Sequence, residues 1–136
     1  MILLTGGSGV LGKALTKLLG QDCISVIDRS KLDLTFPYPN TIDSYFPESI
    51  SKLFKLIVHC AAYTDVLKAE TEKELCYQTN VIGTRNLASL KIPMIYISTE
   101  YVFDGEKGNY EENDYPNPIN FYSLTKLLGE YESRRT

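Results

Sequence analysis

The chain has 136 residues, 43% of them hydrophobic and 23% charged, with a formal net charge of −3. That is enough for one domain with a sheet-centred core and too apolar for a disordered segment. The slight acidic excess argues against nucleic acid or an anionic membrane as partner, and the scattered Cys23, Cys60 and Cys76 form no disulfide framework.

Met1-Ile2-Leu3-Leu4 opens the chain directly on a strand-like run, without the basic and long apolar stretches of a signal peptide or membrane helix. The expected compartment is therefore the cytoplasm, with the cysteines as reduced, buried thiols. Ile2–Leu4 is uniformly apolar and suits a central, doubly covered strand. Val10, Leu11, Ala14, Leu15, Leu18 and Leu19 then recur at helical spacing until Gly20 stops the helix. Ile24–Ile27 reads as a second strand, and Leu32–Leu34 as a short third strand or its beginning. The prolines at 37, 39 and 47 predict mostly loop, followed by a short helix around Ile50–Phe54.

Leu56–Cys60 is the clearest buried strand of the middle region. Glu72 to Leu90 predicts one long helix, Met94–Ser98 a further strand, and Gly105–Pro118 a surface loop. A last helix starts near Asn120 or Phe121. This alternation implies an α/β fold in which residues 1–136 form one domain, half to two-thirds of a Rossmann-like doubly wound parallel sheet.

Gly6, Gly9 and Gly12 stand between the first strand and the first helix at spacing G-x-x-G-x-x-G. One glycine allows a tight turn, the next a close approach to a pyrophosphate, the third helix-on-strand packing. The intervening Ser8 and the helix-opening Val10 and Leu11 would present backbone N–H groups to that anion. Asp28 ends the second strand where a ribose-binding acid is expected and favours NAD. Arg29 beside it could pair with a 2′-phosphate and admit NADP. The choice stays open, and Asp28 could also simply cap the turn that follows.

Tyr122 and Lys126 lie four apart and share a helix face. A cation there would lower the phenol's pKa and let it donate a proton to a carbonyl oxygen as hydride arrives at the carbon. With ten Tyr and ten Lys such a pair arises by chance roughly once, so the spacing alone proves nothing. Thr99, at the end of a predicted strand, can hydrogen-bond the same carbonyl. His59 reads as a hydrogen-bonded core residue, and Glu70, Glu72 and Glu74 as a solvated helix start. No metal-ligand spacing is expected.

At these residues the chain resembles the extended short-chain dehydrogenases/reductases, within them the dTDP-4-dehydrorhamnose reductase branch. The likeness rests on Gly6-x-x-Gly9-x-x-Gly12, His59-Cys-Ala-Ala-Tyr-Thr-Asp65, Asn80-Val-Ile-Gly-Thr84 with Asn86-Leu-Ala88, Ser98-Thr-Glu-Tyr-Val-Phe-Asp-Gly105, and Pro116 through Lys126 followed by Gly129-Glu130. It implies that Thr99, Tyr122 and Lys126 form the catalytic triad, with the last two also touching the cofactor. Asp33-Leu34 would contact adenine. Ala61, Ala62 and Tyr63 would lie along the cofactor, and Asn80 would help order the site. It further implies NAD or NADP as cofactor and reduction of the 4-keto group of a deoxy nucleotide-sugar. The alternatives are a non-catalytic, cofactor-binding subunit, as in the regulatory subunits of methionine adenosyltransferase that resemble the same branch, or an inactive fragment.

Glu100 departs from the branch's more usual Asp. Members also continue for about as many residues again, so the sheet is expected to be incomplete at its C-terminal side, with an open apolar edge beyond Met94–Ser98 and no substrate domain. A homo-oligomer or a complementing second chain would answer that edge.

Overall fold

The computed structural model describes residues 1–20, 24–27, 34–35 and 52–136. Its centre is a four-stranded, fully parallel sheet of β1 (Ile2–Thr5), β2 (Ile24–Ile27), β3 (Leu56–His59) and β4 (Met94–Tyr96) in the order β2-β1-β3-β4. Leu3 lies opposite both Ser25 and Ile57, and Thr5 opposite Ile27 and His59, so β1 is enclosed on both edges.

Successive side chains of β1 point to opposite faces, and both faces are covered. Leu3 packs with Phe54, Ile57, Leu87 and Ile92 on one side. Leu4 packs with Val58, Leu15, Leu19 and Val26 on the other. This double burial is why the first strand shows no alternation. Helix α1 (Val10–Leu19) supplies the second cover, and it ends where Gly20 takes a φ of 77° and its N–H caps Thr16 O.

The predicted helix from Glu72 to Leu90 is helical but not uniform. α2 (Lys73–Tyr77) passes through a π-helical turn, Gln78–Ile82, into α3 (Gly83–Ala88). The wider turn buries Asn80 and Val81 side by side. A periodicity of 3.6 does not foresee that pair, and such turns gather where a side chain must be aimed. The last helix, α4 (Phe121–Ser133), carries a reciprocal cap: Asn120 Oδ1 accepts from Ser123 N at 2.8 Å, and Ser123 Oγ accepts from Asn120 N at 3.3 Å.

Met94–Ser98 is shorter than expected, because the ladder ends at Tyr96. β4 is the outer strand, and Ile95 and Ile97 on it and just past it are 50% and 36% exposed. Among the described residues no further strand pairs with β4, and its outer edge is open there. Of the middle region, Leu34 and Thr35 form a turn and Lys52 and Leu53 another. Cys23, Asp28, Arg29, Leu32, Asp33 and the proline-rich loop lie outside the described residues. Among the described residues no helix is long and apolar enough to cross a membrane.

Candidate active site

The carboxyl ends of β1 and β3 open onto a cavity of about 500 Å³. The glycine turn forms one wall of it through Gly6, Ser8, Gly9, Val10, Leu11 and Gly12. The opposite side is Ala61, Ala62 and Tyr63, and Leu34 and Thr35 close a flank. Gly6 has a φ of 71°, and a Cβ there would stand 2.5 Å from Ala61 N, so only glycine lets the turn lie against the end of β3. Gly12 has Gly6 O and Gly7 Cα in the space its side chain would need, the close helix-on-turn packing expected of the third glycine.

Gly9 is different. A Cβ there would meet only Gly6 O, at 3.4 Å, and the rest of its surroundings are open. It is also the N-cap of α1, with no side chain capping the helix and no acid in the first turn. The first-turn N–H groups thus face open space, with the positive end of a ten-residue helix behind them. A pyrophosphate fits that donor set and that cradle.

Behind the cavity runs an unbroken line of hydrogen bonds. Ala61 N donates to Thr5 Oγ1 at 3.4 Å, and Thr5 Oγ1 meets His59 Nδ1 at 2.6 Å. His59 Nε2 meets Thr84 Oγ1 at 3.1 Å, and Thr84 Oγ1 donates to Asn80 O at 2.7 Å. With its proton on Asn80 O, Thr84 accepts from Nε2–H, which leaves Nδ1 to accept from Thr5. Burial, helped by the nearby Lys126 charge, holds the His59 pKa at about 3, so the ring is neutral. His59 is the bonded core residue that its strand predicts, although its ring also reaches the cavity wall.

Asn80 carries the line onward. Its Oδ1 accepts from Tyr63 N at 2.8 Å, and its Nδ2 donates to Tyr63 O at 3.1 Å and to Thr125 Oγ1 at 3.0 Å. One buried amide therefore fixes both backbone groups of Tyr63 and ties that loop to α4. Glu70 is not merely a solvated helix-start residue. Its Oε1 accepts from Phe121 N at 2.7 Å, placing a carboxylate at the positive end of α4. Glu72 accepts from the Tyr63 hydroxyl at 2.7 Å.

Helix α4 buries Tyr122 and Lys126 on one face. The loop after β4 brings Thr99 beside Tyr122, where its hydroxyl favours the phenolate. The Tyr101 ring meets the Tyr122 ring edge-on at 6.3 Å between centroids. The expected depression of the phenol's pKa is not found. Burial pushes it up, against the Thr99 hydroxyl, which works to lower it, and Glu100 adds to the rise. The ammonium does not counter this, because Lys126 Nζ donates to Ile97 O at 2.6 Å and lies 4.1 Å from the centre of the Tyr96 ring. Burial lowers the Lys126 pKa to about 8.

Of the expected cofactor residues, the glycine turn, Leu34 and Ala61–Tyr63 surround one cavity. Asn80 stands behind it, and Thr99, Tyr122 and Lys126 converge at the β4 end. Asp28, Arg29 and Asp33 lie outside the described residues. Thr5, Thr35, Cys60, Thr64 and Thr79 also line the cavity and were not foreseen. For Thr5 and Cys60 a signal existed, since each stands at the end of a strand. Among the described residues no His, Cys, Asp and Glu group could hold a metal.

The family described as the RmlD substrate binding domain matches residues 1–135. The dTDP-4-dehydrorhamnose reductase of Aggregatibacter actinomycetemcomitans is 38% identical over 95% of this chain and 45% of its own length. The methionine adenosyltransferase 2 subunit beta of Xenopus tropicalis is 35% identical over 94% of this chain and 41% of its own. Among solved structures, the dTDP-4-dehydrorhamnose reductase of Bacillus anthracis in complex with NADP superposes with a TM-score of 0.83 at 36% identity, over 98% of this chain and 48% of that one. The chain thus spans about half the length of the relatives it matches.

Proposed function

The chain belongs to the RmlD substrate binding domain family, and from that membership we propose that it serves a cytoplasmic NAD(P)-dependent oxidoreductase reducing the 4-keto group of a deoxy sugar nucleotide. The observation that carries the reading is Thr99 beside the buried Tyr122, with Lys126 buried on the same helix face, at the sheet end that also holds the glycine cavity.

In this reading Gly6, Ser8, Gly9, Val10, Leu11 and Gly12 bind the pyrophosphate of NAD or NADP. Leu34, Ala61, Ala62 and Tyr63 lie along the rest, Asn80 holds that loop, and Asp28, Arg29 and Asp33 contact the adenosine end. When bound there, a reduced nicotinamide would be the source of the hydride for the carbonyl carbon. Tyr122 gives its proton to the carbonyl oxygen, so the ketone becomes an alcohol. Thr99 donates a hydrogen bond to the same oxygen, and Lys126 holds the ribose hydroxyls. A phenol whose pKa is raised by burial is a proton donor at neutral pH, which suits the reductive direction.

The first test is thermal unfolding with NADH and with NADPH. A ligand that binds only the native state at a hundred times its Kd adds about 2.7 kcal/mol, and a melting point unmoved by either would overturn the reading. The second is turnover of a dTDP-4-keto-6-deoxy sugar, in which Tyr122→Phe is expected to lose about 10²- to 10⁴-fold. Full activity of that variant would remove Tyr122 as the proton donor.

The likeness to a methionine adenosyltransferase subunit favours a second reading, a cofactor-binding subunit without chemistry. Stabilisation by NADPH together with no oxidation of NADPH by any keto sugar nucleotide would select it. A further copy or a complementing chain pairing along β4, an outer strand among the described residues, would be the partner in either case.

A further inference from the structure

We propose that Tyr96 is a positioning residue for Lys126: its ring face is the seat on which the buried ammonium rests, and it sets where that charge points. The inference rests on the proposed function only in taking Lys126 as part of the cofactor site.

Lys126 is 3% exposed, and among the described residues it forms no ion pair. An ammonium removed from water without a carboxylate needs other compensation. Two groups supply it. Ile97 O accepts from Nζ at 2.6 Å, and the Tyr96 ring lies beneath Nζ with its centroid 4.1 Å away. At that distance the negative face of the ring attracts the cation, and more strongly because the site is dry.

The ring is held for this contact from several sides. The Tyr96 hydroxyl donates to Lys126 O at 3.4 Å, so the residue grips the lysine at backbone and tip together. His59 packs against the ring at 5.6 Å between centroids. Gly129, one turn beyond Lys126 on α4, leaves the space in which the hydroxyl sits, since a Cβ there would collide with it.

The other groups facing Lys126 are Glu130 on its own helix, Cys60 after β3, Cys76 on α2 and neutral His59 on β3. Glu130 does not pair with the ammonium and instead accepts from Ser98 Oγ. Glu130, Cys60 and Cys76 favour the charged form, while burial disfavours it and prevails. The ring works with the first set. A ring that favours ammonium over amine must, when removed, leave the amine easier to form.

The test is NMR of the lysine Cε–Hε signals of the full chain, with Lys126 assigned by the signal lost in Lys126→Met. In the wild type, the Lys126 ε-protons are expected to be shifted upfield by the ring, and their titration gives the pKa directly. Tyr96→Phe keeps the ring and should leave the pKa in place. Tyr96→Leu should lower it by about one unit and weaken NADPH binding about tenfold, with Tyr96→Phe rescuing both. Normal ε-proton shifts in the wild type would overturn the proposal even if Tyr96→Leu does not fold. So would an equal pKa change in both variants. A wild type that binds no dinucleotide yet shows the ring-shifted, ring-dependent lysine would sink the functional reading and leave the seat intact.

Discussion

Acidification should unfold this protein through one ring. His59 is the only histidine in the sequence, and its pKa is about 3 in the folded state against the ordinary 6.5 of an exposed imidazole. The unfolded chain therefore binds a proton below about pH 6.5 that the native state refuses. Stability is complete above that value and falls as pH drops toward 3, with a limiting slope of about 1.4 kcal/mol per pH unit. Integrated from pH 7 to pH 5, the loss is about 2 kcal/mol, a large part of a small domain's stability. The lowered pKa of Lys126, about 8 against 10.5, acts with the same sign but only at alkaline pH. Asp104, held near 2 by the Tyr110 hydroxyl, Asn117 and Glu106 N, contributes only at stronger acidity. Urea unfolding followed by far-UV circular dichroism at pH 7 and pH 5 measures the slope, since the chain has no tryptophan to report on. His59→Gln should be less stable at pH 7 and nearly flat between the two values. A wild type whose stability is the same at pH 7 and 5, or a Gln variant that keeps the full slope, would refute the argument.

Two further substitutions probe the cavity walls. Gly6→Ala places a methyl group 2.5 Å from Ala61 N at a φ of 71°, and it should cost about 1–3 kcal/mol and abolish any dinucleotide-induced rise in melting temperature. Asn80→Ala removes four hydrogen bonds, two of them to Tyr63 and a long one to Cys76 Sγ, and should cost about 3 kcal/mol in urea unfolding, with faster amide exchange at Tyr63. Protected exchange there would show that the loop is held by something else.

What was legible in the sequence followed from local chemistry. The glycine spacing announced the turn because close approach leaves no room for a Cβ, and Gly6 and Gly12 bear that out atom by atom. The strands and α4 were readable from apolar runs and a capping residue. The π turn was not, because inserting one residue into a helix leaves no mark on composition; only the geometry around Asn80 reveals it. The direction of the Tyr122 shift was missed for a related reason. Sequence spacing puts Lys126 on the right face, but it says nothing of the carbonyl and ring that claim its charge. Likewise Glu70 looked like part of a solvated run, and its bond to Phe121 N crosses 51 positions of sequence.

The chain of contacts from Thr5 through His59 and Thr84 to Asn80 has a consequence for how this region can change over generations. Thr5 and Thr84 each have one hydroxyl proton and the neutral ring one N–H, so replacing any of these three side chains leaves its neighbour without a partner. Two changes in the chain should cost less together than the sum of their separate effects. Substitution at Thr5, His59 and Thr84 is therefore epistatic, and neutral drift must move these three positions as a set.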